Sequence, residues 1–70
     1  KQMNITLYTT HCPKCVILES KLKQKDIKYT SCEDINIMLE KGFMQAPMLE
    51  VDNKVMDFKA ANNWINKYEG

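Results

Sequence analysis

His11-Cys12-Pro13-Lys14-Cys15 places two thiols three residues apart, directly after a short apolar run and at the head of a helical pattern. That spacing at a strand-to-helix junction points to thiol–disulfide chemistry. A cysteine at a helix N-terminus lies among backbone N–H groups that have no partner in the helix. Those groups and the helix dipole favour thiolate over thiol, and the thiolate is the reactive form. The second cysteine lies about one turn further on, where it can close a disulfide and release a covalently bound partner. Cys12 is therefore the expected nucleophile and Cys15 the expected resolving thiol. Lys14 adds a nearby cation, His11 adds one when protonated, and Pro13 starts the helix. These three are the candidate tuners of the thiol pKa.

The same pair also reads as a metal site, because zinc, copper(I) and iron–sulfur clusters all accept paired thiolates. Small copper carriers place such a pair after their first strand, but in a βαββαβ order and without a proline between the cysteines. A third reading is a redox-type domain that has lost catalysis and serves as an interaction module. Cys32 is expected to be a small, buried or half-buried residue without chemistry, with a regulatory thiol or a third ligand beside His11 as the alternatives. No bound metal is expected.

The rest of the chain must position the pair. Met3 to Tyr8 is rich in β-formers and reads as a strand, and Thr9 to Cys12 as a loop. Pro13 suits the first helical position, and Lys14 to about Gln24 continues the helix. Cys15, Leu18 and Leu22 mark its inner face, broadened by Val16 and Ile17. Asp26 starts a turn, and Ile27 to Ser31 reads as a second strand. Thr30 or Ser31 is placed to cap a short helix, with Glu33 or Asp34 as the reciprocal partner. Ile35, Met38 and Leu39 form that helix's apolar stripe, and Gly42 its C-cap. Ala46 to Val51 is a third strand entered through Pro47. Asp52-Asn53 is a hairpin turn of the primed type leading to a fourth strand, Lys54 to Met56. Asp57 caps a last helix from Phe58 to Tyr68, whose inner face is Phe58, Ala61, Ile65 and Tyr68 with Trp64 on the flank. Met38, Met44, Met48 and Met56 are expected to fill core gaps.

The order β-α-β-α-β-β-α implies an α/β domain with a four-stranded mixed sheet. That order, the Cys-Pro-x-Cys at the first strand–helix junction and the proline opening the third strand resemble the glutaredoxin family of the thioredoxin superfamily. The resemblance covers nearly the whole chain, so residues 1–70 are expected to form one glutaredoxin-like domain. It implies that Pro47 is cis and packs beside the cysteines, and that the backbone of Ala46 pairs with substrate in strand fashion. It further implies that Tyr8 and Thr9 flank the substrate groove, with core packing the equal alternative for Tyr8. Two departures stand out. Glutathione-using members carry lysine where this chain has Thr9, and Gly-Gly before an acidic residue where it has Met56-Asp57-Phe58. The implied electron donor is glutathione or a thioredoxin-reductase-type partner. The implied substrates are disulfide-containing proteins, including the kind of target that a redoxin serving ribonucleotide reductase reduces.

Seventy residues with 44% hydrophobic and 27% charged side chains suit one small globular unit. The ten basic residues are all lysine, spread along the chain against nine acids, for a net charge of +1. No nucleic-acid footprint and no basic amphipathic segment for a membrane surface is visible. No apolar run approaches the roughly 18 residues of a membrane span, and no secretory leader pattern is present. The chain opens on Lys1, and Met3 is the expected native start, with Lys1-Gln2 a remnant. Three cysteines do not make a disulfide framework. A Cys12–Cys15 bridge would close so short a loop that it stabilises by only about 2 kcal/mol, which suits exchange better than stapling. A reducing cytoplasm and a monomeric state are the corresponding expectations.

Overall fold

A computed structural model describes residues 4–68. Met3, the expected start of the first strand, and the Lys1-Gln2 segment lie outside them. The elements run β1 (Ile5–Tyr8), α1 (Pro13–Gln24), β2 (Thr30–Cys32), α2 (Ile35–Glu40), β3 (Met48–Val51), β4 (Lys54–Met56) and α3 (Phe58–Lys67). This is an α/β arrangement with one four-stranded mixed sheet, in the order β2-β1-β3-β4. β1 and β2 are parallel, joined by the α1 crossover, and the other two pairings are antiparallel.

Alternation along the strands sorts the sheet's two faces. Ile5 and Leu7 of β1 stand opposite Val51 and Leu49 of β3, and all four are buried in the main core. Leu18 and Leu22 of α1 and Ala61 and Ile65 of α3 close over that face. Thr6, Tyr8, Met48 and Glu50 point the other way. Val16 and Ile17 do not broaden the α1 inner face. They are 50% and 45% exposed, because the stripe that reaches the sheet is only Cys15, Leu18 and Leu22.

Helix ends are decided by specific hydrogen bonds. After α1, Asp26 adopts φ 57°, Asp26 N donates to Lys23 O, and Ile27 N donates to Leu22 O. This is a Schellman stop, and it carries Ile27 into the core rather than into a ladder. The second strand therefore starts at Thr30, not Ile27. Gly42 (φ 80°) and Phe43 close α2 the same way, with Phe43 N donating to Met38 O. The N-cap of α2 is Asp34 itself, whose carboxylate accepts from Asn36 N and Ile37 N. Thr30 and Ser31 lie in β2 instead and make no capping box. Asp57 caps α3 through Ala60 N. Lys25 Nζ donates to the Asn66 and Tyr68 carbonyls, satisfying two acceptors at the α3 C-terminus.

Asp52 and Asn53 both have positive φ, 48° and 73°, the conformation a type I′ hairpin turn requires. β3 pairs only from Met48, with Ala46 and Pro47 outside the ladder. Two expected apolar burials do not occur. Of the α2 stripe only Met38 is buried, while Ile35 and Leu39 are 58% and 64% exposed. Met44 fills no core gap and is 94% exposed, since it lies in the open segment between α2 and Pro47. None of the helices among the described residues is long and apolar enough to cross a membrane.

Candidate active site

Cys12 is the N-cap residue of α1, in extended backbone, and Pro13 is the first helical residue. The Cys12 side chain makes no cap hydrogen bond. Cys12 is partly exposed, whereas Cys15 is fully buried one turn later. The two sulfurs are 2.9 Å apart, and both are free thiols. That separation is about an ångström more than an S–S bond.

The groups that hold the charge converge on Cys15. Burial pushes its thiol upward. The Cys12 thiol, the Thr9 hydroxyl and the backbone N–H groups of Thr10 and Cys12 push it down, and together they prevail, bringing Cys15 to about 7. Thr9 can act there because it extends the core-facing parity of Ile5 and Leu7 one step past β1. It is fully buried, accepts from His11 N at 2.9 Å, and its hydroxyl lies 3.3 Å from Glu19 Oε2. Thr9 thus supports the loop and the buried sulfur from below instead of flanking a substrate groove.

His11 sits at φ 63°, a conformation that lets the chain turn sharply into the helix. Its Nε2 lies 2.9 Å from Glu33 and its Nδ1 3.5 Å from Glu19. The imidazole therefore ties the Cys12 loop to α1 and to the segment before α2. Glu33 is the main reason its pKa is raised. Lys14 Nζ lies 5.5 Å over the Phe58 ring, at the start of α3. Its cation is engaged by that aromatic face.

The Ala46–Pro47 bond is cis, and Pro47 is fully buried. The Ala46 carbonyl faces Cys12 Sγ at 3.9 Å. Tyr8 is buried, points to the other face of the sheet, and donates to Glu50 at 3.0 Å. Its ring meets Phe43 edge-on at 5.0 Å and lies under Lys41 Nζ at 5.6 Å. Tyr8 backs the groove through Phe43 and does not form its wall. A groove of about 330 Å³ opens beside Cys12, lined by Thr10, Cys12 and Ala46 and by apolar residues of α2 and the segment after it.

The structure thus brings Cys12, Cys15, Ala46 and Pro47 together. Glu19 and Phe43 were not anticipated from the sequence. Glu19 was legible in principle, as a carboxylate one turn after Cys15 on the same helix face. Phe43 carried no local signal. Cys32 is half-buried at the end of β2, and its carbonyl accepts from Thr9 N at 3.0 Å. Among the described residues no group of three or more His, Cys, Asp or Glu side chains is placed to hold a metal ion. No protein-family model matches the chain, and no curated protein matches it significantly.

Proposed function

We propose that this chain is a thiol–disulfide oxidoreductase with a thioredoxin-like, glutaredoxin-type fold. It would reduce disulfides through a Cys12/Cys15 dithiol–disulfide cycle in a reducing compartment such as the cytoplasm. The observation that carries the reading is the asymmetric pair: a partly exposed sulfur at a helix start, 2.9 Å from a buried one, beside the carbonyl of Ala46 before a cis proline.

The cycle follows from that asymmetry. Cys12 is the sulfur a substrate can reach, since it is partly exposed and Cys15 is buried. Cys12 thiolate attacks one sulfur of the target disulfide. The target's S–S bond breaks, and its other sulfur leaves as a thiolate that takes up a proton. Cys15 then gives up its proton and attacks Cys12 Sγ. The Cys12–Cys15 bond forms as the target departs as its second thiol. Two electrons have passed to the target, and the protein is left as the disulfide. A thiol reductant, glutathione or a reductase-type partner, returns it to the dithiol. During the first step Ala46, which among the described residues makes no backbone–backbone hydrogen bond, is free to pair with an extended substrate strand.

The test is turnover of a model disulfide together with acid-quenched mass analysis. Cys12→Ser should show no turnover and no adduct. Cys15→Ser should accumulate a mixed disulfide at Cys12. Full activity in the Cys12→Ser protein would end the proposal.

A further inference from the structure

The groove beside Cys12 has a chemical character of its own. Its walls are Thr10, Cys12, Ala46, Gln45 and five large apolar side chains, with no charged residue among them. Ile35 and Leu39 stand one turn apart on α2 and line the groove, together with Met44. They are 58%, 64% and 94% exposed, a costly display for so small a chain unless something covers it. Met38 and Phe43 make the floor, held by the Schellman bond between them and by the Tyr8 ring behind Phe43. The nearby cations are turned elsewhere: Lys14 to Phe58, Lys41 to Tyr8 and Glu50, His11 to Glu33 and Glu19. The two residues that lead into Ile35, Glu33 and Asp34, are acidic.

Resting on the oxidoreductase reading, we propose that this groove selects the substrate: a polypeptide disulfide with a large apolar side chain next to the cysteine that Cys12 attacks. A small acidic thiol conjugate such as a glutathione disulfide is disfavoured. Cys12 lines the groove, so a chain covalently joined to Cys12 lays its neighbouring side chain against Ile35, Leu39 and Met44. Burial of that side chain supplies binding without any ion pair. The carboxylates of glutathione would find no cation among the residues that line the groove. Ile35, Leu39 and Met44 are thus specificity-determining residues.

The experiment measures the rate of disulfide reduction by the full chain with four probes. Two are cyclic disulfide peptides identical except for Leu or Asp beside one cysteine. The others are glutathione disulfide and the small neutral hydroxyethyl disulfide. The Leu peptide should react about tenfold faster than the Asp peptide, equivalent to about 1.4 kcal/mol. Leu39→Lys should slow the Leu peptide and speed the Asp peptide, a reversal that a folding defect would not give. Equal rates for the two peptides, or glutathione disulfide as the fastest probe, would overturn the groove proposal and leave the redox cycle standing. No reaction with any probe, hydroxyethyl disulfide included, would remove both.

Discussion

Cys15 is where opposing forces on one residue decide the chemistry. Burial disfavours a charged sulfur, yet the donors around it outweigh burial and bring its thiol from an ordinary 9.0 to about 7. The Cys15 ionisation, followed by thiolate ultraviolet absorbance, should therefore fall near 7. Cys12→Ala removes the Cys12 thiol donor, the largest lowering influence, and should move the Cys15 midpoint upward. A wild-type midpoint at the ordinary thiol value would refute this picture of the pair. Because the folded value is depressed, the thiolate's contribution to stability is present at high pH and is lost as pH falls through about 7. His11 runs the opposite way. Its folded pKa is raised above 6.5, so its ion pairs stabilise fully below that value and lose their effect as pH rises through the folded pKa. His11→Gln should thus lower the melting temperature more at about pH 6 than at about pH 9. An equal loss at both would mean that the imidazole's charge is not what ties the loop.

Among the elements, α2 is the most exposed to perturbation. It has six residues, a single buried side chain and a one-residue cap. A helix that short does not hold by itself in water, so Asp34 and the Schellman stop carry much of its order. Asp34→Ala removes two hydrogen bonds and should cost about 1 kcal/mol locally. The effect should appear as faster amide exchange in α2 and slower reaction of the Leu peptide, with little change in global melting. Asp57→Ala acts on α3, which packs on α1, β3 and β4, and should lower the melting temperature of the whole domain by about 4–8 °C. Similar global shifts for both variants would mean that α2 is not locally separable. The sequence pattern conveyed the order of the elements because each has a local signature: Pro13 at a helix start, Asp52-Asn53 in a primed turn, Gly42 after α2. It missed what depends on partners. Ile27 reads as a strand residue until the Schellman bond to Leu22 turns it inward. Ile35, Leu39 and Met44 read as core because apolar spacing cannot distinguish a side chain that faces the sheet from one that lines a groove. The cysteine pair was legible outright, whereas the roles of Thr9 and Tyr8 depended on which face of β1 each continues.

The whole molecule measures 32 × 27 × 17 Å across the described residues, with its buried layer on one face of the sheet between α1 and α3. The reactive pair lies at the C-terminal end of β1, the central strand that joins the parallel half of the sheet to the antiparallel half. The β1–α1 loop supplies Cys12 and the segment entering β3 supplies Ala46 and Pro47, so the site depends on the β1–β3 register and not on one loop. A core this small tolerates little loss. Leu18→Ala, which hollows the core under α1, should cost about 2–5 kcal/mol, a large share of a small domain's stability. If Leu18→Ala melted like the wild type, the core would not be where the packing puts it. The central claim is that Cys12 and Cys15 form an exchange couple. Its most direct test is a redox titration of metal-free protein in defined thiol–disulfide buffers, with free thiols trapped and counted by mass. The account predicts a reversible two-electron transition confined to Cys12 and Cys15, at about −200 to −230 mV if the couple is glutaredoxin-like and near −270 mV if it is thioredoxin-like. If no reversible bridge formed and the two thiols instead held stoichiometric metal, the account would be wrong and the chain would be a carrier.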